Sequence, residues 1–388
     1  MTLIKNKPLL RFPEFKSTWK ENKISEIFER VVNPVDVDKT KKYQEIGIRS
    51  HGKGIFHKEQ KLGVEIGNKR VFWVKENTFI VNIVFAWEQA VAKTTENEVG
   101  LIASHRFPMY EPIKNVLDLG FILYFFLRKK GKYVLELASP GGAGRNKTLG
   151  QKVFADTEIT IPKFQEQAKI ARFLNRLDSR INLIDKKLKK LKAYKIGVRR
   201  KIFSKELRFK DVYGNEFPDW KKMRIGDVLD YEQPTKYLVS NKDYNKKYNT
   251  PVLTAGKKFI LGYTKETDGI FIDNLPTIIF DDFTTAFHFV DFPFKAKSSA
   301  MKMLIPKGEN VNMKFMYEAM KSLRFPIAQH KRFWISEYQN QIILYPNSEE
   351  QQKISDFFLD IDNSIQNLSD QLTKSKKFKK GLLQKMFV

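Results

Sequence analysis

Pro162-Lys-Phe-Gln-Glu-Gln-Ala-Lys-Ile170 and Pro346-Asn-Ser-Glu-Glu-Gln-Gln-Lys-Ile354 are two versions of one stretch. A single offset of 184 (346 minus 162) carries Glu166 to Glu350, Gln167 to Gln351, Lys169 to Lys353 and Ile170 to Ile354. It continues without a gap through Phe173/Phe357, Asp178/Asp362, Ile181/Ile365, Leu188/Leu372, Gly197/Gly381, Lys201/Lys385 and Phe203/Phe387. One register held over roughly forty residues marks a duplication.

The copied segment has a helical period. Ile170, Leu174, Leu177, Ile181, Ile184, Leu188, Leu191, Val198 and Ile202 follow a 4-3-4-3 rhythm, with Lys195 the exception. In the copy Ile354, Phe358, Ile361, Ile365, Leu368, Leu372, Leu382 and Met386 keep it, while Ser375 and Lys379 do not. Such heptads make a narrow apolar seam that needs a partner helix. The nearest partner is the other copy, packed antiparallel in the same chain. The alternative is two amphipathic helices buried in separate cores. Pro162 and Pro346 stand where helix starts are expected.

At 388 residues the chain is long enough for two or three domains. The longest apolar run, Phe121 to Leu127, is far too short to span a membrane. The first residues, Met1 to Pro8, lack the apolar core of a signal peptide. There is no cysteine, which excludes disulfides and thiolate metal sites and fits a cytoplasmic location. The 70 Lys and Arg against 44 Asp and Glu give +26, which points to a polyanionic partner. Residues 163–210 hold 17 basic and 4 acidic residues, half of that excess, whereas 346–388 hold 7 and 6. The basic helix face is open to three readings: solvated, laid over phosphates, or docked on an acidic protein.

The duplication reaches beyond the helix. Leu10-Arg11-Phe12 recurs as Leu207-Arg208-Phe209, and Trp19-Lys20 as Trp220-Lys221. Lys23-Ile24-Ser25-Glu26-Ile27 recurs as Arg224-Ile225-Gly226-Asp227-Val228. The parts between, about 28–161 and 229–345, share no obvious identity. Strands are expected at Val71–Val74, Phe79–Val84 and Ile159–Ile161, then at Pro251–Thr254, Thr277–Phe280 and Ile342–Leu344. Phe121–Leu127 and Met313–Leu323 read as helices. The expected class is α+β, a pseudo-two-fold repeat of two α+β domains separated by two long helices that pair as an antiparallel coiled coil. Its divisions are 1–161, 162–205, 206–345 and 346–388.

No catalytic constellation emerges. Gly47-Ile-Arg-Ser-His-Gly52-Lys53 resembles a P-loop, but Gly54 stands where a hydroxyl is required. Gly141-Gly-Ala-Gly-Arg-Asn-Lys147-Thr148 is a second near miss that reads better as an anion-contacting turn. The five histidines lack metal-ligand spacing. There is no methyltransferase signature, and the chain reads as a binder.

Two variable domains alternating with two near-identical helices, each entered through Pro…Glu-Gln-x-Lys-Ile, resemble the specificity subunit of type I restriction–modification systems. The Trp19 and Trp220 leads and the Ser139–Gly150 turn also resemble that family. Arg324–Phe333, at the equivalent place in the second domain, lacks the glycines. The resemblance covers the whole chain. It implies a non-catalytic subunit whose two domains each read half of a gapped double-stranded DNA target. Two methyltransferase subunits would dock on the helices and restriction subunits would join through them. S-adenosylmethionine, ATP and Mg would belong to those partners, leaving this chain without cofactor or metal. No membrane partner is implied.

Candidate DNA contacts are Arg49, Ser50, His51, Lys53, His105, Arg106, Arg145, Asn146 and Lys147 in the first domain. In the second they are Lys257, Lys258, Tyr263, Thr284, Thr285, His288, Gln329, His330, Lys331 and Arg332. The coiled-coil interface is Ile170, Leu174, Leu177, Ile181, Ile184, Leu188, Ile354, Phe358, Ile361, Ile365, Leu368 and Leu372. Two rivals stay open: a DNA nuclease with an unrecognised site, and a basic coiled-coil scaffold without sequence preference.

Overall fold

Each copied stretch folds as one long helix, Phe164–Phe203 and Ser348–Lys385, beginning two residues after its proline. The next glutamine fixes both starts: Gln167 Nε2 donates to the Pro162 carbonyl at 2.8 Å, and Gln351 Nε2 to that of Pro346 at 3.0 Å. The structure, a computed structural model, describes residues 7–141, 147–256, 258–323, 325 and 332–388. No helix among them is long and apolar enough to cross a membrane.

The chain divides into two compact units, Met1–Asp185 with Gln371–Val388, and Lys186–Asp370. Each unit holds half of each long helix. In the first, Ile170, Ala171 and Leu174 share a core with Leu382, Met386 and Phe387, joined by Trp19 and Phe121. In the second, Val198 and Ile202 share a core with Ile354, Phe358 and Ile361, joined by Trp220 and Phe315. The start of one helix meets the end of the other in both, so the pairing is antiparallel and the seams are buried against each other.

The seam's two lysine exceptions have a role. Lys379 Nζ donates to Asp178 at 2.5 and 2.7 Å in the first unit. Lys195 Nζ donates to Asp362 at 2.7 and 2.8 Å in the second. Both the lysines and the aspartates are partners under the 184-residue offset, so this is one interaction made twice. Burial would raise the Asp362 carboxyl, but hydrogen bonds from Lys195 and Lys314 hold it below its usual value. Each pair specifies the antiparallel register, because a shifted helix would bury an unpaired ammonium.

The unlike sequences that precede the two helices fold alike. The first unit has a four-stranded antiparallel sheet in the order Phe28–Val31, Met109–Pro112, Phe79–Val81, Val91–Lys93. The second repeats it as Leu229–Glu232, Met301–Pro306, Thr277–Asp281, Phe287–Val290. Its third strand reads as a continuous apolar run because both faces are covered: Ile278 and Phe280 enter one core and Ile279 another. A second sheet carries the hairpin Lys42–Ile48/Ile55–Leu62, or Thr250–Leu253/Ile260–Thr264. In both units a parallel strand lies beside the hairpin's first strand, Ile102–Ser104 or Lys295–Ala296.

Most expected elements are present within a residue or two. The exception is Phe79–Val84, which ends as a strand at Val81. There the Asn82 side chain accepts a hydrogen bond from the Val84 amide at 3.1 Å and turns the chain. The helix expected at Phe121 begins earlier, as Leu119–Phe126, because Asp118 caps it by accepting from the Phe121 amide at 2.8 Å.

Candidate nucleic-acid interface

The repeated leads form a carboxylate clamp that fixes each domain to its helix. The Arg11 guanidinium donates to Glu166 at 2.7 and 2.6 Å, and Trp19 Nε1 donates to the same carboxylate at 3.3 Å. Arg208 and Trp220 do the same to Glu350, at 3.2, 2.8 and 2.7 Å. The hydrogen bonds they donate to Glu166 and Glu350 push both arginines above their ordinary value. Both glutamates are fully buried. From the same helix turn, Gln167 and Gln351 accept the backbone N–H of Asp118 and Asn312, the caps of helices Leu119–Phe126 and Met313–Ser322. The sequence shows these residues as repeats without showing what they touch.

With the domain anchored, the candidate residues of the first unit gather at hairpin ends. Residues 49–54 close the Lys42–Ile48/Ile55–Leu62 hairpin, with His51, Gly52 and Gly54 at positive φ. Gly52 has φ +63°, a backbone conformation that favours glycine, and a Cβ there would displace the end of the Leu127 side chain. This turn docks on the loop after Val81: the His51 amide donates to the Glu88 carbonyl at 2.7 Å and the Gly52 amide to that of Gln89 at 3.0 Å. The Ser50 hydroxyl donates to the Glu88 carboxylate at 2.8 Å. Arg49 lies over the Phe56 ring at 4.6 Å, while His51 and Lys53 are exposed.

The same loop organises the rest. The Ile83 amide donates to the Arg106 carbonyl at 3.0 Å, and the Ile83 carbonyl accepts from Leu149 at 2.8 Å. These bonds bring the exposed His105–Arg106 turn and Lys147 to one place, with Lys147 Nζ over the Trp87 ring at 5.6 Å. Arg145 and Asn146 lie outside the described residues.

The second unit repeats the two anchoring bonds of Ile83. The Asp282 amide donates to the Ala300 carbonyl at 3.1 Å, and the Asp282 carbonyl accepts from Phe333 at 2.8 Å. Asp282 therefore stands where Ile83 stands, and Phe333 where Leu149 stands. Arg332 is exposed beside Phe333; Lys257, Gln329, His330 and Lys331 lie outside the described residues. Lys258 is exposed on the turn that corresponds to 49–54. His288 stacks on Phe259 at 4.6 Å, faces the backbone of Ala255 and Gly256, and is held below its usual value by burial and by Lys321. It is thus neutral near pH 7 and fastens the two hairpins together. Thr284 and Thr285 cap the turn after Asp281, whose carboxylate accepts from Phe283 at 3.0 Å and Thr284 at 2.8 Å. Tyr263 is half-buried on its strand and shares no contact with this group among those observed.

Sequence reasoning missed the organising loop, because Ile83-Val84 reads as a strand's continuation. It also missed Phe85 and Phe283, about 39% and 41% exposed on that loop and its counterpart. Among the described residues no group of three or more His, Asp and Glu is placed to hold a metal ion.

Residues 16–193 and 218–374 match the family described as type I restriction modification DNA specificity domain. The Escherichia coli type I restriction enzyme EcoR124I/EcoR124II specificity subunit is 48% identical over 153 residues, 38% of this chain and 37% of that protein. The MjaVIII specificity subunit of Methanocaldococcus jannaschii is 27% identical over 181 residues, 45% of this chain and 40% of that one. The matches thus span about two fifths of those relatives. Among solved structures, a type I restriction–modification S subunit from M. genitalium superposes with a TM-score of 0.63 at 15% identity, covering 98% of this chain and 99% of that one. A chain from a study of complex assembly and conformational transition of the type I R-M system gives 0.53 at 14%, covering 95% and 97%. These structures share the fold, and with both specificity domains matched, the chain belongs to the type I restriction modification DNA specificity family.

Proposed function

We propose that the chain is the non-catalytic specificity subunit of a type I restriction–modification enzyme and reads a bipartite, gapped DNA target. The observation that carries this is the repeated scaffold with unlike contents. Two units share sheets, clamps and loop anchors, yet present different side chains at the same hairpin ends. Domains 1–161 and 206–345 each read one half-site, and the paired helices set the gap. Exposed cations such as Arg49, Lys53, Arg106 and Arg332 set position on the phosphates, while neighbouring polar side chains reach base edges. Two methyltransferase subunits dock on the helices and restriction subunits join through them, in the cytoplasm. Methyl transfer from S-adenosylmethionine and ATP-driven cleavage with Mg belong to those partners.

Replacing Arg49 and Lys53 together with alanine tests the interface. Binding to unrelated DNA duplexes should weaken by a similar factor, because phosphate contacts are sequence-independent. The slope of log affinity against log salt should flatten by about 0.9 per lost contact, up to about 1.8. An unchanged slope would remove the 49–54 turn from the interface. Mg-dependent cleavage of duplex DNA by the purified wild-type chain alone would overturn the non-catalytic reading.

A further inference from the structure

We infer that Phe85 and Phe283 are specificity-determining residues, one per domain, each making an apolar contact with a thymine methyl group in its half-site. The inference rests on the DNA-reading function proposed above and adds to it a named group on each side of the contact.

Three observations carry it. The two phenylalanines lie one position apart on corresponding turns: Phe85 follows Ile83 by two residues and Phe283 follows Asp282 by one, and Ile83 and Asp282 make the same pair of anchoring backbone bonds. This agreement arises in domains with no sequence identity to impose it. Both phenylalanines are also partly exposed, about 39% and 41%, and each lies on a turn whose backbone is bonded. Phe85 accepts from Ala90 at 3.1 Å and from Glu88 at 3.0 Å; the Phe283 amide donates to the Asp281 carboxylate at 3.0 Å. A ring held on so fixed a turn loses little freedom when it meets a ligand. Finally, the surroundings are cationic or polar: the Lys147–Trp87 pair and the 49–54 turn on one side, Thr284 and Arg332 on the other.

A phenyl ring neither donates nor accepts a hydrogen bond. In a major groove lined by donors and acceptors, the thymine methyl is the apolar group it can select. Each phenylalanine keeps about three fifths of its surface covered, which leaves the rest open to contact.

The test uses the complex of this chain with its methyltransferase subunits. Mapping methylated sites in cells gives the wild-type target, and duplexes carrying it are made with deoxyuridine in place of each thymine in turn. In each half-site one substitution should weaken binding about fourfold, the worth of one buried methyl-sized group. Phe85→Ala should abolish that sensitivity in the first half alone, and Phe283→Ala in the second alone. Phe→Leu at either place should retain it. A wild type insensitive to deoxyuridine, a half-site lacking thymine on both strands, or sensitivity surviving both alanine variants would overturn the inference while leaving the bipartite reading intact. A wild type with no bipartite target would overturn both.

Discussion

Glu318→Ala is expected to destabilise the second unit by about 3–5 kcal/mol, the cost of leaving buried charge uncompensated. The Glu318 carboxylate is fully buried and takes Lys195 at 2.9 Å, Arg199 at 2.7 Å and Lys314 at 3.5 Å. Its loss leaves three cations beside Asp362, which pairs with Lys195 and Lys314 but is a third exposed. Lys321, held below its usual value by burial and by Arg199, shows how little further positive charge the site tolerates. Glu318→Gln should recover little, since it restores shape without charge. Urea unfolding of both variants against the parent measures the loss. A change below about 1 kcal/mol would mean that the network is solvated and that Glu318 is not what holds these cations.

Leu174→Asp should do comparable damage to the first unit. Leu174 is fully buried in the core with Leu382, Met386 and Trp19. Truncating such a leucine costs about 2–5 kcal/mol, and a carboxylate in its place adds desolvation. The variant is expected to lose cooperative unfolding and, with it, assembly with the methyltransferase. Leu183→Asp is the control: on the same helix but 66% exposed, it should change stability by no more than about 0.5 kcal/mol. Equal stability of the two variants would remove the helix pair from the core.

The helices, their antiparallel pairing and the α+β class were legible because they rest on period and repetition. Periodicity speaks for each residue through its near neighbours, and a gapless offset needs no structure to be seen. What was hidden depends on contacts between distant residues. Lys195 and Lys379 look like faults in a seam until Asp362 and Asp178 are opposite them. Arg11, Trp19 and Glu166 lie 155 and 147 residues apart, and no local rule joins them into one clamp. At the candidate interface the glycines and lysine of the 49–54 turn were visible as an incomplete P-loop. The loop that gathers the other segments was not, since Asn82 bends an apolar run that otherwise reads as strand. The equivalence of Ile83 and Asp282 shows only in the backbone, because the two side chains share no chemistry.

The central claim is that each domain reads its own half-site while the helices set the gap. Mapping methylated sites in cells that carry a chimera tests it most directly. Transplanting residues 229–345 from a relative should change the second half of the methylated sequence and leave the first half and the gap fixed. One extra heptad inserted between Leu188 and Leu191, matched in the second helix, adds about 10 Å at about 1.5 Å per residue. It should widen the gap by about three base pairs at about 3.4 Å each. A transplant that altered both halves, or a longer helix pair that left the gap unchanged, would contradict the account.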